Sequence, residues 1–389
     1  MKKSIFIVSL LLILYMFNFK AYSEEVDVKE KQILNLTIDE AVKLAQKNST
    51  ELIDIEIKIN EARKSLRKYV VLQEEYDKLL NMSFEELDKA GIYNITENYA
   101  EKMLHQYGYY VNREQYTINS LENQKKQLLI KIKIDTKVQY YKITLLEKTL
   151  ALYSLEIDKS IYKRNAIKIS YENNFATELE LTNAELGVLY DVEKYDSSIN
   201  MLKTDKINFS YNIGIDSNTE FIIKDKDLSY IPLDKIALDD CIANVLENRP
   251  EIIDKKNQLK SVDLYKQIMS AYYGRYSEIG EIEFKRYNNV KIELDNLKNN
   301  LSNYVANRYL ILSQNEIALK NNFKQEDILN RENKKIDILY NNGQISISEL
   351  IDFKIKLLSV QIENYKLLTE YSINKETFEN ISVLSYTIK

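Results

Sequence analysis

From Ser346 to Tyr371 the apolar residues of this chain fall on two interleaved tracks. Leu350, Phe353, Leu357, Val360, Leu367 and Tyr371 follow an alternating three- and four-residue spacing, interrupted at one polar position, Asn364. Ile347, Ile351, Ile355, Leu358, Ile362 and Tyr365 follow the same rhythm, offset along the chain. A two-residue offset turns an α-helix by about 200°, so the two tracks lie on nearly opposite faces. The stretch from about Leu121 to Ser160 repeats the device. Ile134, Val138, Tyr141, Leu145, Leu152 and Leu155 mark one face, and Ile143, Leu146, Leu150, Tyr153 and Ile157 the other. A helix with one apolar stripe lies on a core; a helix with two opposed stripes is held between two neighbours. The middle helix of an ordinary bundle would show the same pattern, and length separates the cases. From about Glu281 to Tyr340 there is neither Pro nor Gly. One helix of about 60 residues, about 90 Å long, is predicted there, closer to a coiled-coil rod than to a globular core. The pattern predicts staves in a wall of helices.

The chain also says nearly the same thing twice. Ile38-Asp39-Glu40-Ala41-Val42, then Asn48-Ser49-Thr50-Glu51-Leu52, is answered by Leu238-Asp239-Asp240-Cys241-Ile242, then Asn248-Arg249-Pro250-Glu251-Ile252. A second echo pairs Tyr171-Glu172-Asn173-Asn174-Phe175-Ala176-Thr177 with Tyr340-Asn341-Asn342-Gly343-Gln344-Ile345-Ser346. A repeat this long is no solenoid unit; it predicts two large helical modules side by side. Helix starts are legible at Thr37 with Glu40, Thr177 with Glu180, and Ser346 with Glu349, each a reciprocal capping pair. Pro250 suits the first turn of a helix entered from Arg249, and Ala237 lacks the hydroxyl that Thr37 supplies in the first copy. The stretch Asp216 to Ile236, with Pro232 and no long period, reads as a linker. The expected division is a first repeat over 24–216, a linker over 217–236 and a second repeat over 237–389.

Composition narrows the chemistry. Seven Gly and two Pro in 389 residues leave few turns. One Cys permits no intrachain disulfide, and no Cys/His cluster offers a metal site. Lys2 and Lys3, the apolar run Ile5 to Phe19 and the small residues around Ala21 and Ser23 read as a secretory signal peptide over residues 1–23. That run is short for a bilayer span, which needs about 20 residues. Without these residues the chain loses three Lys and carries 59 acidic against 51 basic residues, a balance that speaks against nucleic-acid binding. The chain reads as exported.

Together these residues resemble the TolC-like outer-membrane efflux protein family. Leu36-Thr37-Ile38-Asp39-Glu40-Ala41 and Asn248-Arg249-Pro250-Glu251-Ile252 are similar to the openings of its two helical units, and Asn212-Ile213-Gly214-Ile215 to the ending of the first. Tyr340, Gly343, Ser346, Glu349 and Leu350 match its tip turn, as do Tyr171, Thr177, Glu180 and Leu181, with Asn174 in place of the glycine. The resemblance implies a homotrimer whose helices close into a hollow α-barrel, with a β-barrel at one end. It also implies that the tip turns meet a periplasmic adaptor of an inner-membrane pump, which places Asn174, Thr177, Gly343 and Ser346 at a docking end. The lengths here depart from that pattern. A transmembrane strand needs about 9–11 residues, yet Ser270 to Lys285 holds Arg275, Glu278, Glu281 and Glu283. Between Asn81 and Gln115, the segments Phe84 to Lys89 and Tyr99 to Leu104 read as helix. The expected fold is all-α, two repeats of long antiparallel helical hairpins with little or no β-barrel.

No reaction chemistry stands out. His105 has no second His or Cys near it in sequence and is expected to pack at a helix end; Cys241 falls on an apolar helix position and is expected to be buried. Asp39, Glu40, Asp239 and Asp240 sit in first helical turns, where the dipole favours acids. No enzyme, metal or cofactor is expected. The function expected from the resemblance is a passive conduit or docking rod of an efflux system. The rival is an extracytoplasmic structural or binding protein that keeps the helical repeats and forms no pore.

Overall fold

In a computed structural model the residues described are 33–217, 219–224, 226–233 and 238–384. The signal peptide over residues 1–23, the opening residues of the first repeat and Ala237 lie outside them. Among the described residues, ten helices and two three-residue strands follow one another as β1 (Leu34–Leu36), α1 (Ile38–Asn48), α2 (Thr50–Leu80), α3 (Phe84–Lys89), α4 (Tyr99–Gln106), α5 (Tyr109–Glu172), α6 (Glu178–Ile213), β2 (Phe221–Ile223), α7 (Leu238–Asn248), α8 (Pro250–Tyr273), α9 (Glu278–Asn341) and α10 (Ile347–Glu379). The second copy repeats the first: α7, α8, α9 and α10 answer α1, α2, α5 and α6. Both central helices, α5 and α9, run 64 residues, roughly 96 Å at 1.5 Å per residue.

Each central helix is a spine flanked by two antiparallel partners. The N-terminal half of α5 packs on α2 and its C-terminal half on α6, while α9 does the same with α8 and α10. The opposed apolar tracks of α10 are explained by its two neighbours, α9 and α5. Asn364, the polar break in one track, is buried. Its amide donates to Glu326 Oε2 at 2.5 Å and to the Asn322 carbonyl at 3.3 Å, tying α10 to α9. The copies are joined where α10 lies antiparallel along α5: Lys137 with Glu376 at 2.6 Å, Lys148 over the Tyr365 ring at 5.1 Å, and Lys159 with Asp352 at 2.6 Å. This register staggers the two tips. Beyond Lys159 the chain runs 15 residues to Asn174, whereas Gly343 lies nine residues before Asp352. The first tip therefore projects about six residues, or roughly 9 Å, past the second.

At mid-height the linker is more ordered than its sequence suggests. Phe221–Ile223 pairs in parallel with Leu34–Leu36, Leu34 opposite Phe221. Both strands join a core of Ala41, Ala45, Tyr140, Ile143, Phe209 and Ile213. The Tyr140 hydroxyl donates to the Leu36 carbonyl at 2.9 Å. The far part of the linker is held by Glu316 of α9, which accepts from the Tyr230 hydroxyl at 2.5 Å and the Leu233 amide at 3.1 Å. Each repeat then fastens its own last helix. Asn48 donates to the Ile213 carbonyl at 2.9 Å. Arg249, with no exposed surface, donates to the carbonyls of Ile381 at 2.8 Å and Leu384 at 2.6 Å.

At the end opposite the tips, α2 reaches α5 through α3, α4 and their turns, over residues 81–108, while α8 reaches α9 in the four residues 274–277. Neither segment contains a strand. The fold is all-α around one two-stranded clasp, without a closed β-barrel among the described residues. None of the described helices is long and apolar enough to cross a membrane.

Candidate functional site at the helical tips

The two tips are built by the same short-range chemistry. After α5, Asn173 closes the helix and Asn174 takes a left-handed conformation, φ 62°. The Asn174 amide donates to the Tyr171 carbonyl at 2.9 Å and the Phe175 amide to the Ser170 carbonyl at 2.7 Å. After α9, Gly343 takes φ 66°; its amide donates to Tyr340 at 2.9 Å, and that of Gln344 to Leu339 at 2.8 Å. This paired bonding is the Schellman ending of a helix. Asn tolerates the left-handed region better than most residues, which is why the first copy keeps the turn without its glycine. A side chain at 343 would meet nothing within contact distance.

The following helices begin alike. The Thr177 amide and hydroxyl donate to Glu180 Oε2 at 2.7 and 2.9 Å, and the Glu180 amide donates back to the Thr177 hydroxyl at 3.2 Å. Ser346 and Glu349 repeat this at 2.7, 2.9 and 3.2 Å. Donation from the cap backbone, then from the cap hydroxyl, holds both carboxyls below the usual carboxylate range. Asn174, Thr177, Gly343 and Ser346 thus all stand in turns at one end of the rod.

The tips differ in what they show to solvent. A Schellman ending often packs the residue after the left-handed one against the last helical turn. Here that turn offers Ser170, and Phe175 is left 87% exposed, with Leu179 beside it also exposed. The second tip carries Gln344 in place of Phe175. Sequence reading missed this apolar crown because caps and turns explain the pattern of the segment without it.

His105 packs as expected at the end of α4. Its ring stacks on Tyr76 at 4.7 Å and lies 4.5 Å from Tyr110 and 6.1 Å from Tyr69, and Glu101 Oε1 lies 3.9 Å from its Nε2. Burial lowers its pKa, against the opposing pull of Glu101. Cys241 is only half-buried at the edge of the second core, a correction to the buried position expected from its apolar neighbours. Burial, then the charge of Asp240, pushes its thiol up, away from the thiolate form a nucleophile needs. Along the rod a broad open groove of about 790 Å³ mixes charged residues, Glu51, Asp54 and Lys131, with apolar ones, Ile55, Leu128 and Ile134. Among the described residues no group of three or more His, Cys, Asp or Glu could hold a metal ion.

The two repeats of long helical hairpins with matched tips have a TolC-like helical fold. Solved outer-membrane proteins share it. VceC from Vibrio cholerae superposes with a TM-score of 0.59 at 8% identity, over 89% of this chain and 96% of that one. The CmeC outer-membrane channel of Campylobacter jejuni gives 0.58 at 10% identity, over 90% and 87%. The open state of the MtrE outer-membrane channel of Neisseria gonorrhoeae gives 0.58 at 11% identity, over 89% and 88%. No protein-family model matches this sequence, and no curated protein matches it. The likeness is one of fold, and at that level the resemblance read from the motifs is borne out.

Proposed function

We propose that this chain is an exported, non-enzymatic component of an efflux or secretion system. In this reading three copies close side by side into a hollow α-barrel in the cell envelope, and the repeats 24–216 and 237–389 supply alternate staves. The barrel acts as a passive conduit, energised by an inner-membrane pump. Its tip turns, with Asn174, Thr177, Gly343 and Ser346, meet a periplasmic adaptor. The observation that carries the reading is the tip pair: two turns of unlike sequence, brought to the same geometry at the same end of one rod. The fold shared with outer-membrane channels supports it.

The test is a photo-crosslinker at position 343 in cells, with the mass of the purified protein measured alongside. A trimer, and one envelope protein captured from 343 and lost when Gly343 is made bulky, is the expected result. A second reading is favoured by the segments 81–108 and 274–277, which hold helices and a short turn where a β-barrel would need paired strands. It is an extracytoplasmic structural or binding protein without a pore, and it predicts a monomer with no partner at 343.

A further inference from the structure

The end of the rod opposite the tips carries a crown of exposed aromatic rings. Phe84, the first residue of α3, is 92% exposed, and Tyr93 in the turn after α3 is 83% exposed. From the second copy come Tyr272 and Tyr273 at the end of α8, Tyr276 in the turn, 87% exposed, and Phe284 in α9. The two copies meet here as one surface. Tyr99 of α4 stacks on Tyr272 at 5.9 Å, and Ala100 and Leu104 share a small core with Ile268 and Met269. The crown is therefore underlain by packed structure, and its rings face outward from a firm base.

Its chemistry distinguishes the occupant. Four of the six rings are tyrosines, which place an apolar ring and a hydroxyl at a boundary between hydrocarbon and water. Exposed Arg275 lies between two of the rings, its guanidinium 6.0 Å from the Tyr276 ring centre and 5.8 Å from that of Phe284. A guanidinium in that setting suits a phosphate. Exposed Glu278 and Glu281 follow within six residues and suit an ammonium. Charges of both signs share this end: Glu85 pairs with Lys89 at 2.6 Å, and exposed Lys285 and Arg286 follow Glu281, a mixture that suits a zwitterionic surface better than a purely anionic one. We propose that this end docks on a zwitterionic phospholipid surface. The rings rest at the headgroup boundary, Arg275 takes the phosphate, and the acids face the ammonium, with no segment crossing the bilayer. The inference stands independently of the conduit reading.

Vesicle flotation of the full chain tests it, comparing wild type with Phe84→Ser/Tyr93→Ser/Tyr276→Ser. Both proteins share residues 1–32, so any difference reads the crown alone. All three substituted residues are exposed, and circular dichroism checks that helicity is kept. With phosphatidylethanolamine–phosphatidylcholine vesicles in high salt, wild type should float and the triple variant should partition at least about tenfold less. Equal flotation of the two proteins overturns the proposal. So does binding confined to anionic vesicles and abolished by salt. Crown-dependent end-to-end dimers with no lipid binding overturn it in favour of a second copy as the occupant.

Discussion

Replacing Arg249 with Met should release the turns that follow α10 while leaving the tips untouched. The side chain is wholly buried and donates to the carbonyls of Ile381 and Leu384, pairs with Glu251 at 3.1 Å and lies over the Tyr304 ring at 5.5 Å. Met keeps the apolar stem and removes every donor. A buried acceptor left without its donor costs about 1–3 kcal/mol; the Ile381 carbonyl is buried, and the Leu384 carbonyl, only partly buried, adds less. The lost pairing with Glu251 adds little, since that carboxylate is partly exposed and water can replace the guanidinium. The expected loss is about 3 kcal/mol, and more for Arg249→Ala, which also strips the packing on Tyr304. The assay is amide hydrogen exchange at residues 381–384, whose amides bond back to Phe378 and Asn380. A local loss of about 3 kcal/mol speeds exchange there by roughly a hundredfold, with the 173–177 and 342–346 turns unchanged. Arg249→Lys keeps the charge without the fork and should fall between. If Arg249→Met folds and 381–384 exchanges within about threefold of wild type, the fastening role is wrong.

Three further outcomes are expected. Ser346→Ala, and separately Thr177→Ala, should each cost about 0.5–2 kcal/mol, seen as faster exchange confined to the first turn of the following helix. Gly214→Ala should be worse than Gly343→Ala in urea unfolding. Both positions have positive φ, at roughly 1–2 kcal/mol for a non-glycine residue, but a side chain at 214 would also run into Asn48, so equal losses would refute the contact. Acid should loosen α10 from α5. Burial pushes the Glu376 carboxyl up, but Lys133 and Lys137, each at 2.6 Å, outweigh it and hold the carboxyl below its usual value. A depressed folded pKa gives stability that is whole above the ordinary glutamate value of about 4.3 and is lost as pH falls through the lower folded one. The stability gap between wild type and Glu376→Gln should therefore close below that pH, and a gap that persists to pH 3 would argue against the ion pairs.

What the sequence made legible was set by range. The long helix expected from Glu281 to Tyr340 runs from Glu278 to Asn341, and the one expected over Leu121 to Ser160 extends to Tyr109–Glu172. Periodicity and the absence of Gly and Pro act locally and leave a clear trace. The caps at Thr37, Thr177 and Ser346 were readable because both partners lie within four residues. The β1–β2 clasp was not, since three residues carry no period and the partner lies over 180 positions away. For the same reason Arg249 read only as the residue before Pro250: its acceptors lie in the turns after α10, more than 130 residues on. Residues 84–89 and 99–106 form helices as their pattern indicated. Of the tip residues, the turn geometry was legible and the exposure of Phe175 was not, because nothing local tells whether a lone aromatic finds a partner.

The stagger between the two tips sets a rule of fit for anything that seats on them. In a closed ring of such chains the rim would be stepped, high at every Asn174 turn and low at every Gly343 turn, with a rise of roughly 9 Å. A mate with prongs of one length would rest on the high turns alone and slide around the axis. A mate with prongs of alternating length would drop into the notches, and the flanks of the high turns would lock it against rotation, as in a keyed coupling. The ion pairs that place α10 along α5, far from the rim, are what cut the key.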